Sequence, residues 1–225
     1  MVYLVLFLFL HSNNYYMTTK ERIIEQAADM FLRSGIKAIT MDDISRDLGI
    51  SKRTIYENFK DKDALLRECL AYVDKKYEQE HELIALESEN TISEVFGMMK
   101  LGIYAIKTIS PLFFSDLKKY HFKIFKEVLQ VNQEKQINNT HTLLKKGINQ
   151  GVFRSNIDLE IVSILLNQQL TLISNEDVFP ERKFSRVVVF ENVLINFFRG
   201  IATQKGIELI DQYHRDDGSD FIITS

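Results

Sequence analysis

Helical periodicity runs through nearly the whole chain and limits what it can fold into. From Thr18 onward apolar residues return every three to four positions, as in Ile23, Ile24, Ala27, Ala28, Phe31 and Leu32. That spacing places them on one face of a helix. Only Pro111, Pro180 and 9 glycines interrupt 225 residues. An all-β sandwich needs turn residues roughly every 8–12 positions, and this chain has too few. The expected fold class is all-α: a domain of three short helices, then a larger helical bundle. The single cysteine excludes an internal disulfide framework or a Cys-rich zinc site.

The net charge is −3. A protein that coats nucleic acid or anionic membrane with its whole surface is far more basic. Any contact with a polyanion must rest on a short segment. The first ten residues, MVYLVLFLFL, are all apolar. They fall short of the roughly 20 residues that span a bilayer. As a signal peptide they lack a charged n-region and a small-residue cleavage site. The expectation is that translation starts at Met17 and residues 1–16 are not native. Signal peptide and membrane anchor rank below that reading.

Caps and breaks divide the rest. Thr18 or Thr19 caps a first helix that Gly35 ends. Thr40 caps a short helix carrying Ile44 and Leu48 and ending at Gly49. Ser51 caps another carrying Ile55 and Phe59. Each is about two turns long and must pack on its neighbours to be stable. A long helix begins near residues 61–63 and carries Leu65, Leu66, Cys69, Leu70 and Val73. Thr91 with Glu94 forms a capping box for the next. Ser110-Pro111 starts another, and three more are expected over about 121–149, 158–175 and 183–203. The expected domains are 17–63, with the helix from about 61 as connector, 64–210, and a polar tail over 211–225.

The informative stretch is TMDDISRDLGISKRTIYENFKDKDALL, residues 40–66. Two short helices meet at Gly49-Ile50-Ser51, where Gly supplies the positive φ of a sharp turn. Ile44, Leu48, Ile50, Ile55 and Phe59 can close a small core with Phe31. The opposite face of the second helix then points outward with Lys52, Arg53, Thr54, Tyr56 and Asn58. All can donate hydrogen bonds to phosphates or base edges. Residues 44–62 hold five basic against three acidic residues, a local +2. The alternative reading is an ordinary αα-hairpin with a solvated polar face.

The stretch from about Lys20 to Leu70 resembles the DNA-binding domain of the tetracycline-repressor (TetR) family of bacterial transcriptional regulators. Ile23, Ala27, Phe31, Gly35, Thr40, Ile44, Ser45, Gly49, Ser51, Thr54, Tyr56, Phe59, Lys62 and Leu65 carry the resemblance. Arg53 stands where the family often has Gly, and Asn58 where it often has Tyr or His. The resemblance implies that Ser51–Asn58 is a recognition helix. Lys52, Arg53 and Thr54 would face bases or phosphates, and Tyr56 the phosphate backbone. Thr40 and Lys62 would clamp flanking phosphates. It also implies a cytoplasmic, ligand-responsive homodimer, usually a repressor, on a palindromic double-stranded operator.

Two later stretches, LEIVSILLNQQLTLI and VVVFENVLINFFRGI, are apolar on more than one face. Helices of that kind are buried on two sides. The resemblance puts a four-helix dimer interface there, with Leu165, Leu172, Phe190, Leu194 and Phe197 as expected contacts. Phe96, Met99, Tyr104, Phe113, Phe122 and Phe125 belong to a Met- and aromatic-rich region suited to an apolar or amphipathic effector. They suit an ordinary core equally.

No catalytic, metal or cofactor site is expected. His81-Glu82-Leu-Ile-Ala fails the H-E-x-x-H zinc pattern at its last position. No Gly-rich phosphate loop or nucleophile elbow appears. Cys69 sits in an apolar row and reads as a buried thiol. The rival function is an all-α enzyme or small-molecule-binding protein with a vestigial helix-turn-helix.

Overall fold

A computed structural model describes residues 17–216. The expectation for residues 1–16 lies outside that range. Among the described residues there are ten α-helices and an isolated β-bridge between Phe153 and Ala202. The helices are α1 (Thr19–Ser34), α2 (Met41–Leu48), α3 (Lys52–Asn58), α4 (Lys62–Glu87), α5 (Thr91–Thr108), α6 (Pro111–Tyr120), α7 (Phe122–Asn149), α8 (Leu159–Leu172), α9 (Arg186–Ile201) and α10 (Gln204–Asp216). No helix among the described residues is long and apolar enough to cross a membrane. Residues 211–216, expected in the polar tail, continue α10.

The chain divides into two units: residues up to Glu82 with Tyr104–Asn132, and Leu83–Ile103 with residues from Gln133 onward. In the first unit, side chains start each short helix. Thr18 and Glu21 form a capping box on α1, and Thr40 and Asp43 form one on α2. The Ser51 hydroxyl accepts the Thr54 amide at 3.0 Å. Each cap satisfies amides that have no partner within the helix. Gly49 ends α2 in the left-handed region, at φ 65° and ψ 28°.

Ile23, Ala27, Phe31, Ile44, Ile55 and Phe59 are buried, with Leu48 and Ile50 packed against them. The same core takes in Leu65, Leu66, Cys69, Leu70 and Val73 of α4 and Phe113 and Leu117 of α6. Packing therefore runs across residue 63, where a domain boundary was expected. Three helices this short cannot enclose a dry core, and α4 and α6 complete it. α6 is tied directly to the α1–α2 loop. The Asp116 carboxylate, 8% exposed, accepts the Lys37 amide at 2.7 Å. The Ser110 amide donates to the Leu32 carbonyl at 2.9 Å. Gly35, at φ 84° and ψ 160°, lies so close to α6 that a Cβ there would sit 2.9 Å from Leu112 Cβ.

In the second unit, the cap of α5 differs by one residue from the expected Thr91–Glu94 box. Asn90 and Ser93 exchange the capping bonds. Thr91 is buried, and its amide and hydroxyl both donate to Gln150 Oε1 at 2.8 Å. Glu94 pairs instead with Lys146 at 2.6 Å. A clasp joins the C-terminal ends of α7 and α9. The Arg154 amide donates to the Ile201 carbonyl at 2.9 Å, and the Thr203 amide to the Val152 carbonyl at 3.0 Å. Gly206 permits this approach, since a Cβ there would lie 2.1 Å from the Val152 oxygen.

Candidate nucleic-acid interface

α3 turns Ile55 and the following Phe59 into the core and leaves its other face in water. Lys52, Arg53 and Tyr56 are exposed, and Thr54 is half-buried. Tyr56 is 46% exposed, which removes core packing as its role. The Thr54 hydroxyl lies 2.8 Å from that of Ser51. Asn58 folds back to donate to the Thr54 carbonyl at 2.8 Å.

Both exposed cations of α3 already have carboxylate partners. Lys52 pairs with Asp42 at 2.6 Å, and Arg53 with Glu57 at 2.8 Å. The Asp42 carboxylate holds the Lys52 ammonium above its ordinary pKa. Both pairs lie in water, where a phosphate can compete for the cation. Sequence reasoning missed Asp42 and Glu57. The i,i+4 spacing of Arg53 and Glu57 could have revealed one pair; the other depends on how α2 packs against α3. Thr40 is exposed beside them, its hydroxyl donating to Asp43 at 2.6 Å. The Thr40 hydroxyl and amide hold the Asp43 carboxyl below its ordinary range.

Lys62 departs from its expected place as a phosphate clamp. Its ammonium donates to the carbonyls of Ile36 and Ile39 and lies 5.6 Å from the centroid of the Phe31 ring. Burial holds its pKa below the ordinary value. Both carbonyls belong to the α1–α2 loop, outside any helix ladder, so the ammonium bridges two loop acceptors. Cys69 is buried, and desolvation pushes its thiol well above the ordinary range.

The expected dimer contacts separate into two groups. Leu165 and Leu172 are exposed, at 50% and 44%, and Phe197 is half-buried. Phe190 and Leu194 are only 2% and 7% exposed. They lie in the subunit's own core, with Phe190 packed over Gly102, and are unavailable to a partner. The strongest apolar stripe of α9 is its inward face. Ile161 and Val188 are also exposed. Phe179, Phe184, Val188, Val193 and Phe197 line a groove of about 610 Å³ on this surface.

The six expected effector-pocket residues are split between the units. Phe96 and Met99 are buried in the second, where Phe96 stacks on Tyr213 at 5.6 Å. The other four belong to the first. Phe113 fills its core, whereas Tyr104 and Phe122 are 40% and 51% exposed. Phe125 is half-buried and stacks on Phe122 at 6.1 Å.

Three short helices, a left-handed glycine turn and a polar outward face on the third define a helix-turn-helix DNA-binding module. Residues 23–69 match the family model described as bacterial regulatory proteins, tetR family. The HTH-type transcriptional repressor KstR2 of Mycolicibacterium smegmatis is 24% identical over 200 residues, covering 83% of this chain and 92% of that protein. A transcriptional regulator from Cytophaga hutchinsonii superposes with a TM-score of 0.66 at 20% identity, covering 80% of this chain and 97% of that one. The ketosteroid transcriptional regulator KstR2 of Mycobacterium tuberculosis superposes with a TM-score of 0.50 at 19% identity, covering 84% and 98%. Residues 23–69 thus carry the DNA-binding domain of tetR-family bacterial regulatory proteins, and the chain is a DNA-binding transcriptional regulator.

Proposed function

We propose that the chain is a cytoplasmic, ligand-responsive repressor that binds a palindromic operator as a homodimer. The observation that carries this is the outward face of α3, with Lys52, Arg53 and Tyr56 in water over a buried Ile55. Thr40, Ser51 and Thr54 add hydroxyls and helix-end amides suited to phosphate. One such face holds too little charge for tight binding. Two copies double the phosphate contacts and read half-sites centred about 34–36 Å apart. The exposed apolar residues Ile161, Leu165 and Leu172 of α8 and Val188 of α9 supply a surface for that second copy. The effector is apolar or amphipathic. It releases the operator by binding more tightly to a state with the wrong half-site separation.

Selection of random duplex DNA with the full chain tests this reading. The expected result is an enriched palindrome, bound by a dimer with steep salt dependence. A folded chain that enriches no sequence would refute operator binding. Enrichment of an isolated half-site by a monomer would refute the dimer.

A further inference from the structure

Residues 118–126 read KKYHFKIFK, four lysines with no acidic residue. They form the corner between α6 and α7. Lys118, Lys119, Lys123 and Lys126 are all exposed there, as is Tyr120. Lys37 of the α1–α2 loop joins them, with its ammonium 3.2 Å from the Tyr120 hydroxyl and 4.9 Å from the ring centroid. Lys119 lies 5.4 Å from the same ring centroid. The carboxylates around the corner are engaged. Asp116 accepts the Lys37 amide, Asp63 pairs with His121 at 2.8 Å, and Glu127 pairs with Arg67. The net charge of this run is +4, against +2 for the whole stretch 44–62.

We propose that the α6–α7 corner is a second DNA contact, gripping the sugar–phosphate backbone of duplex that flanks the recognised half-site. The proposal rests on the operator-binding reading above. Three observations point to this partner. The corner lies in the same compact unit as α3. Lys37 precedes Thr40 by three residues, so the basic surface begins within about 10 Å of the expected phosphate contact. The recognition surface is short of free cations, because Lys62 is turned inward and Lys52 and Arg53 are paired with carboxylates. Exposed lysines interleaved with aromatic rings hold phosphate without reading sequence. The Tyr120 phenol, hydrogen-bonded by Lys37 with Lys119 alongside, is held below its ordinary range, a sign of local positive potential.

The test compares K118Q/K119Q/K123Q with the unaltered full chain on two duplexes. One is trimmed to the selected sequence; the other extends it by about one helical turn, about 10 base pairs, on each side. The unaltered chain should bind the longer duplex more tightly. The variant should lose that gain, with at least about tenfold weaker binding to the longer duplex at 0.15 M salt. The slope of log K against log salt should fall by about 2.7 per subunit, at about 0.9 for each phosphate no longer neutralised. Binding to the trimmed duplex and sequence preference should not change, and K118R/K119R/K123R should restore the gain. Matching melting curves check the fold. Unchanged binding to the longer duplex would overturn the proposal and assign the corner to another anionic partner. Equal weakening on both duplexes would overturn it too, by placing the lysines inside the half-site. Failure of the unaltered chain to select any duplex would overturn the operator reading and this one together.

Discussion

Gly35→Ala is the sharpest single test of how the DNA-binding helices are held. Gly35 stands at φ 84° and ψ 160°, a region that essentially only glycine occupies. An L residue held there is strained by about 1–3 kcal/mol. The added methyl would lie 2.9 Å from Leu112 Cβ and 3.0 Å from Asp116 Oδ2. A Cβ carried on a helix cannot swing aside as a side-chain tip can, so α6 must shift. Overpacking of that kind costs about 1–3 kcal/mol. The expected loss is therefore about 2–6 kcal/mol, out of a total stability of about 5–15 kcal/mol. At about 2–4 °C per kcal/mol, the melting temperature should fall by at least about 4 °C. Gly49→Ala supplies the control. Gly49 is left-handed at φ 65°, but a Cβ there meets nothing within 4 Å. Its loss should be the strain alone, roughly 1–2 kcal/mol. Urea unfolding followed by circular dichroism measures both. A Gly35→Ala loss no greater than that of Gly49→Ala would refute the close approach of α6 to the α1–α2 loop.

Four further outcomes are expected. K52A/R53A should abolish operator binding in a gel-shift assay and leave sedimentation unchanged, with stability altered by under about 1 kcal/mol because both ion pairs are exposed. Leu165→Glu should yield a folded monomer by analytical ultracentrifugation, whereas Phe190→Ala should lose about 3–5 kcal/mol of stability in urea unfolding through a core cavity. Lys146→Met strands the Glu94 carboxylate, whose side chain is 8% exposed. It should cost about 3 kcal/mol, and more than the paired replacement K146M/E94L. The Asp43 carboxyl is held below its unfolded value of 3.8 by Thr40. The cap's contribution is thus complete above that value and is lost as pH falls through the lower folded one. Melting temperatures between pH 5 and the acid limit should fall less steeply for Asp43→Asn than for the parent.

Local signals in the sequence carried most of the fold. Helical periodicity, the caps at Thr18, Thr40 and Ser51, and the glycine ends at Gly35 and Gly49 all depend on residues within one or two turns. The structure agrees with each. Readings that depended on distant residues fared worse. Thr91 looked like a cap, but Gln150, 59 positions on, takes its donors. Lys62 looked like a surface cation, but its ammonium bridges the carbonyls of Ile36 and Ile39. Phe190 and Leu194 looked like interface because the apolar stripe of α9 is strong. A stripe marks burial without saying whether a chain's own residues or a partner's cover it. On α3, the exposed positions followed from helical spacing once Ile55 and Phe59 were assigned to the core. The Asp42 partner of Lys52 required the packing of α2 against α3.

The clasp at Val152–Arg154 and Ile201–Thr203 makes the segment between them a closed loop. Its two ends are joined by the Arg154 amide on the Ile201 carbonyl and the Thr203 amide on the Val152 carbonyl. The segment that carries α8 and α9 therefore begins and ends at one point of the second unit. A segment whose ends already touch can be exchanged or lengthened with little change in chain-closure entropy. The surface proposed to select a partner subunit lies on that loop, whose inward residues Leu166, Phe190, Leu194 and Phe198 anchor it in the core. Changes confined to its outward residues Ile161, Leu165, Leu172 and Val188 would then alter which chains pair, with the core and the closed ends of the loop left as they are.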